Sequence, residues 1–250
     1  MKSMIRGLYT AAGGMMVQVV RQETISNNLA NVETSGFKHE LDLQRAYQET
    51  NILQVPRSRQ QRQLIGRMEL GAVVDSMHTN FAPGSLVETN RSLDLAITGD
   101  GFFVIETPQG RRYTRSGAFT LDAQRYLVTE QGYRVVGSQG SLQLPAGEVQ
   151  ITAEGRIFVN NQAVGQLELV SFSDLQALRK EGSALWSAPG QEGAAFGGQV
   201  QQGYLEASNV QIAEEMGRML TALRLYETNQ RVLQAQDQLT GKAVTEIGAL

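Results

Sequence analysis

The amino-acid sequence predicts an α+β protein, with a long amphipathic helix at each end and an all-β domain of short antiparallel strands between them. Two patterns carry this. Over residues 4–30 and 209–248 apolar side chains return at alternating steps of three and four, the period of one helix face. From residue 83 to 203 the pattern changes to short alternating runs broken by glycine and turn-forming residues, the period of half-buried strands.

In the first helix the series is Ile5, Leu8, Ala12, Met15, Val19, Gln22, Ser26 and Leu29. In the second it is Ile212, Met216, Met219, Leu223, Tyr226, Gln230, Leu233, Asp237, Thr240, Val244 and Ile247, a run of coiled-coil length. Met4, Met16 and Val20 widen the first stripe, and Leu220, Leu225, Val232 and Leu239 widen the second. That is more apolar surface than one facing helix covers, and it predicts further partners. Asn27, Asn28 and Asn31 end the first helix, with Gly36 free to take a left-handed turn after it. Ser208 with Gln211 three residues on reads as a capping box for the second helix, and Glu214 and Glu215 complement its dipole.

Residues 37–47 fit a short helix or an extended arm equally. Residues 50–79 are polar and rich in Gln and Arg, with Pro56 and Gly66, and read as an extended linker or lever with strand character at 68–74. Strands are expected at 93–98, 102–106, 112–115, 118–121, 126–129, 133–136, 148–151, 156–159 and 166–172, forming a sandwich or barrel, with one short helix at 174–180. The expected domains are therefore a terminal helical polymerisation domain of residues 1–47 together with 204–250, a linker of 48–82 and a central β domain of 83–203.

Composition narrows function. With 250 residues, 41% hydrophobic and 19% charged, the chain can bury a core. A net charge of -3 gives no electrostatic basis for nucleic-acid binding, and the basic stretch of Arg57, Arg59, Arg62 and Arg67 has no aromatic residue among it to stack a base. There is no cysteine, hence no disulfide, thiolate nucleophile or cysteine metal site. A cleavable secretory signal is not expected, and no apolar stretch is long enough for membrane insertion.

Catalysis requires convergent groups, and none is expected: no catalytic, cofactor-binding or metal-binding residues are assigned. His39 and His78 stand in polar segments and are expected to be exposed. Asp94 and Asp100 suit turn roles better than an acid pair, and Gly99-Asp100-Gly101 lacks a phosphate-loop pattern. Phe102, Phe103, Tyr113, Phe119, Tyr126 and Tyr133 are expected to fill a β core, while Trp186 fits a surface anchor or a core plug alike.

Three motifs carry a family resemblance. Ile25-Ser26-Asn27-Asn28-Leu29-Ala30-Asn31-Val32-Glu33-Thr34-Ser35-Gly36-Phe37-Lys38 resembles the N-terminal signature of bacterial flagellar rod and hook axial proteins. Asp94-Leu95-Ala96-Ile97-Thr98-Gly99-Asp100-Gly101-Phe102-Phe103, followed by Tyr113-Thr114-Arg115-Ser116-Gly117-Ala118-Phe119, is similar to the central motif of the FlgF and FlgG rod types. Gln202-Gly203-Tyr204-Leu205-Glu206-Ala207-Ser208-Asn209-Val210, with Tyr226-Glu227-Thr228-Asn229-Gln230, resembles the C-terminal signature. The resemblance implies a structural, non-enzymatic subunit of the flagellar basal-body rod, exported through the flagellar type III apparatus. Its terminal helices would pair as an α-helical coiled coil, and its β body would form an outer layer.

The partners so implied are copies of itself, neighbouring rod and hook proteins, ring proteins of the basal body and the export apparatus. The assembly interface is expected at Ile5, Leu8, Met15, Val19, Asn27, Asn28, Leu29, Asn31, Asn209, Met216, Met219, Leu223, Tyr226 and Leu233. The alternatives are a rod-associated peptidoglycan-cleaving factor using Asp94 with Asp100 or Glu106, and a transient rod cap.

Overall fold

The computed structural model describes residues 2–47, 49–54, 63–69, 71–182 and 184–247. The chain divides into two compact units: Met1–Leu29 with Glu40–His78 and Ile212–Leu250, and Ala30–His39 with Thr79–Gln211. Residues 30–39 and 204–211, expected with the helices, thus belong to the β unit.

The first unit is built on α1 (Lys2–Ala30) and α2 (Ile212–Ile247). The start of α2 corrects the expected capping box. The Ser208 hydroxyl accepts the Val210 N–H at 3.3 Å, a turn that precedes the helix, while Glu214 and Glu215 do stand in its first turn. The two helices pack antiparallel. A Cβ placed on Gly7 would lie 3.3 Å from Cδ of Gln236, and one on Gly14 would lie 3.0 Å from Nδ2 of Asn229. The Asn28 amide donates to the Glu215 carboxylate at 3.0 Å. Each advance of seven or fourteen residues along α1 is matched by an equal retreat along α2, so all three contacts share one register.

That packed face differs from the apolar series. Buried and half-buried positions run 7, 8, 11–15, 17, 18, 20–22, 24, 25, 28 and 29 on α1, and 215, 218, 219, 222, 226, 229, 233, 236 and 240 on α2. On α1 the packed face is broader than the expected seam: Leu8, Ala12, Met15, Gln22 and Leu29 of that seam are half-buried and Val19 and Ser26 are exposed, while the buried positions are Ala11, Val17, Gln18, Thr24, Ile25 and Asn28. On α2 the two series share Met219, Tyr226, Leu233 and Thr240, and Glu215, Ala222, Asn229 and Gln236 replace Met216, Leu223, Gln230 and Asp237.

The stretch read as a linker is instead strand. Its described residues hold β2 (Glu49–Gln54), β3 (Gln63–Glu69) and β4 (Ala72–Thr79), and β1 (Glu40–Ala46) precedes it. β2 pairs antiparallel with β3 over its whole length, and β1 pairs with β4. Residues 37–47 are accordingly extended. The β1–β4 pair is tied to α1 by an Arg21–Asp42 ion pair at 3.2 Å and is bridged internally by Arg45 and Asp75. Arg57, Arg59 and Arg62 of the basic stretch lie outside the described residues.

The second unit holds β5 (Leu86–Glu88), β6 (Leu95–Thr98), β7 (Phe102–Thr107), β8 (Gly110–Thr114), β9 (Phe119–Leu121), β10 (Leu127–Thr129), β11 (Arg134–Gly137), β12 (Gly140–Ser141), β13 (Val149–Ile151), β14 (Arg156–Val159), β15 (Gln162–Gln166), β16 (Leu169–Ser171), β17 (Arg179–Lys180), β18 (Leu185–Ser187), β19 (Ala194–Ala195), β20 (Gln199–Gln202) and β21 (Tyr204–Glu206). The main sheet runs β17-β18-β8-β7-β11-β10-β9, with β13-β14-β15, β20-β6 and β21-β5 as separate antiparallel sets. All nine expected strands are present. The expected short helix is a single 3-10 turn, Leu175–Ala177, with the Asp174 carboxylate accepting from the Gln176 and Ala177 N–H groups.

Two apolar clusters fill this unit. The larger packs Leu95, Ile97, Phe103, Ile105, Phe119, Leu127, Val135, Leu144 and Ile157, with Phe103 and Phe119 edge to face at 5.0 Å. The smaller gathers Phe102, Phe172 and Leu178 around Trp186, whose ring lies 5.0 Å from that of Phe81. Trp186 is a core plug, not a surface anchor.

Candidate assembly surface

Most of the large apolar side chains left exposed lie on the two helices. Tyr9 and Met16 on α1 are 69% and 70% exposed, and Met216 and Leu220 on α2 are each 56% exposed. Val19, Ile212, Leu223, Leu225, Val232, Leu239 and Val244 are exposed as well. On α2 all of these but Val244 fall on two flanks of the packed face. Ile212, Met216, Leu220 and Leu223 lie on one flank near the start of the helix, and Leu225, Val232 and Leu239 lie on the other further along, by the 100° turn per residue.

The expected interface residues separate into three groups. Val19, Met216 and Leu223 are exposed, as is Asn27. Leu8, Met15, Leu29, Asn31, Met219, Tyr226 and Leu233 are half-buried, and Asn31 accepts the Thr34 hydroxyl at 3.3 Å. Asn28 and Asn209 serve inside the units. Fully buried Asn28 exchanges two hydrogen bonds with the backbone of Glu40, donating to its carbonyl at 2.9 Å and accepting its N–H at 3.1 Å, besides the bond to Glu215. Asn209 accepts the His39 N–H at 2.8 Å and donates to the carbonyls of Asn80 and Ala82, both at 2.9 Å. The Ile5 side chain lies outside the described residues.

Asn209→Ala is therefore expected to cost about 1–3 kcal/mol, the range for leaving backbone groups without partners. A lowered denaturant midpoint of the β unit checks it.

Sequence reasoning missed a charge cluster inside the β unit. The Lys38 ammonium donates to Glu206 at 2.6 Å and to the Ala82 carbonyl at 2.9 Å. The Arg115 guanidinium donates to the other Glu206 oxygen at 2.9 Å and to the carbonyls of Gly99 and Gly101, both at 2.7 Å. All three charged residues are buried. Burial alone pushes the Glu206 carboxyl up, but the charges of Arg115 and Lys38 beside it outweigh that and hold it below its ordinary value. Burial also lowers Lys38, and its ion pair does not repay that in full.

Each member of the cluster comes from a different one of the three sequence motifs. Glycines let these segments meet. Gly36, at φ +68°, has its Cα against the Arg115–Ser116 peptide, Gly84 abuts the Ala207 carbonyl and Gly117 abuts the Leu95 carbonyl, each too close for a Cβ. The Ser35 and Ser116 hydroxyls share a hydrogen bond at 2.6 Å. The available signal was that every motif pairs glycine with a charged residue.

His39 is buried, contrary to expectation, because it leads into β1 with its N–H held by Asn209; His78 is half-buried. Asp94 is buried with its carboxylate 3.6 Å from Nε of Arg91, whereas Asp100 and Glu106 are exposed. Among the described residues no group of His, Asp or Glu is placed to hold a metal ion, and no helix is long and apolar enough to cross a membrane.

Three family models match in chain order: the flagella basal body rod protein over residues 8–38, the flagellar hook protein FlgE/F/G D1 domain over 96–159, and the flagellar basal body rod FlgEFG protein C-terminal over 201–246. The flagellar basal-body rod protein FlgG of Borreliella burgdorferi is 37% identical over 267 residues, covering 96% of this chain and 98% of the relative. FlgG of Bacillus subtilis is 32% identical with the same coverage, and FlgF of Caulobacter vibrioides is 31% identical over 99% of this chain and all of the relative. These relatives give no support to a peptidoglycan-cleaving factor or a transient cap. The chain belongs to the flagellar basal-body rod proteins of the FlgF/FlgG type, structural subunits of the basal-body rod and not enzymes.

Proposed function

We propose that this rod subunit joins copies of itself and neighbouring rod and hook proteins through the outward faces of α1 and α2, with the β unit turned to the ring proteins of the basal body. The observation that carries this is the concentration of exposed apolar side chains on the helices, whereas among the described residues of the β unit only Leu86 and Val87 of the large ones are exposed. The two flanks of α2 are different surfaces at different heights. A contact between unlike surfaces propagates and does not close into a dimer, as a shaft requires. The absence of cysteine supports passage through the export apparatus between compartments of different redox state.

Charge on one flank tests the reading. Met216→Asp with Leu220→Asp is expected to leave the unfolding free energy of the monomer within about 0.5 kcal/mol, as for other exposed sites. Recovery of the subunit in detergent-washed basal bodies should be lost. Normal recovery would remove these residues from the interface.

A further inference from the structure

On α2 the pair turns inward Glu215 and Ala222 instead of the more apolar Met216 and Leu223, and on α1 it leaves Val19 exposed. Rotating the two helices by one residue would bring Val19 against Leu223 and turn Met216 inward, a seam the hydrophobic effect favours. The seam actually formed places Gly7 under Gln236, Gly14 under Asn229 and Asn28 against Glu215.

Each rung has a physical reason to hold the observed setting. The glycines let the α2 carboxamides approach the α1 backbone to 3.0–3.3 Å of where a Cβ would stand, a space that a side chain as large as leucine would take from them. Asn28 and Glu215 are both buried, so any other rotation leaves an amide or a carboxylate without the partner it has here. A buried polar pair that fixes register at a cost in stability is a known device of paired helices.

We propose that these three rungs fix the rotational setting of α1 on α2, and so keep the stripe of Val19, Met216 and Leu223 turned outward for a second copy instead of sealed within its own pair. Gly7, Gly14, Asn28, Glu215, Asn229 and Gln236 are then positioning residues for assembly. This rests on the proposed use of the helix faces as the assembly surface.

Gly7→Leu with Gly14→Leu blocks the present setting and leaves the alternative open. In the full-length protein the variant is expected to raise the melting temperature of the helices by several degrees, since leucine is the better helix former and the alternative seam is more apolar. Binding of an apolar dye should fall about twofold as exposed side chains are covered. Recovery in washed basal bodies should fall on the order of tenfold. Glu215→Gln, which keeps an acceptor for Asn28, should be recovered as the unmodified chain is.

Normal recovery of the leucine variant would overturn the proposal. So would a lower melting temperature with more dye bound, the result of a mere clash. Failure to recover the unmodified chain would instead sink the underlying assembly reading.

Discussion

Glu206→Ala is expected to unfold the β unit or leave it barely stable. Removing this carboxylate strands two buried cations, Lys38 and Arg115, that share it as their only acidic partner among the described residues. Breaking a buried ion pair from one side costs about 3–5 kcal/mol, and here two cations lose their partner at once. A whole domain is stable by about 5–15 kcal/mol, so the loss is a large share of the total. Thermal unfolding followed on the β unit checks it, and a midpoint unchanged from that of the unmodified chain would deny the cluster its role. Acid should act through the same group. The folded carboxyl titrates below its ordinary value of 4.5, so between the two values the unfolded chain binds more protons. The stability that Glu206 contributes is complete above the ordinary value and is lost as pH falls through the folded one. In Glu206→Ala that acid-dependent component should be absent.

Gly117→Ala is expected to cost about 3 kcal/mol, the upper range for forcing added volume into a packed interior, with no change of charge or polarity to account for it. A methyl group there would run into the Leu95 carbonyl, which is backbone and cannot swing away. The two residues are also joined, the Leu95 N–H donating to the Gly117 carbonyl at 3.1 Å, and Leu95 is fully buried in the larger cluster. Any shift that relieves the clash therefore disturbs both the bond and the core. Gly197→Ala is the control, since a Cβ there meets nothing within 4 Å. Denaturant midpoints of the two variants should separate clearly, and coincident midpoints would show that the backbone approach at Gly117 is unimportant.

The elements of this fold were legible where periodicity is strong. The two long helices and the nine expected strands follow directly from steps of three to four and from alternation. β1 to β4 were not, because a two-stranded ribbon buries little, and its residues need not alternate: β4 runs half-buried for three residues and then exposed for three. The rotation of the helix pair was hidden for a different reason. Apolar spacing marks which residues are greasy, not which face a partner selects, and here the selection falls to glycines, carboxamides and one acid.

The charge cluster was the least legible. Glu206 lies 168 residues from Lys38 and 91 from Arg115, and no local pattern marks any of them as inward-facing. His39 misled in the same way. A polar residue beside a turn reads as solvent-exposed until the segment that satisfies it is known.

Both units are clasped by segments that lie far apart along the chain. α1 meets Asn229 and Gln236, and Lys38 meets Glu206, so each unit joins residues 168 or more positions apart. Contacts of such long sequence separation slow folding, since the intervening loop must be closed before they form. Closing either clasp is therefore expected to be a slow step, later than the local strand pairs of the β unit.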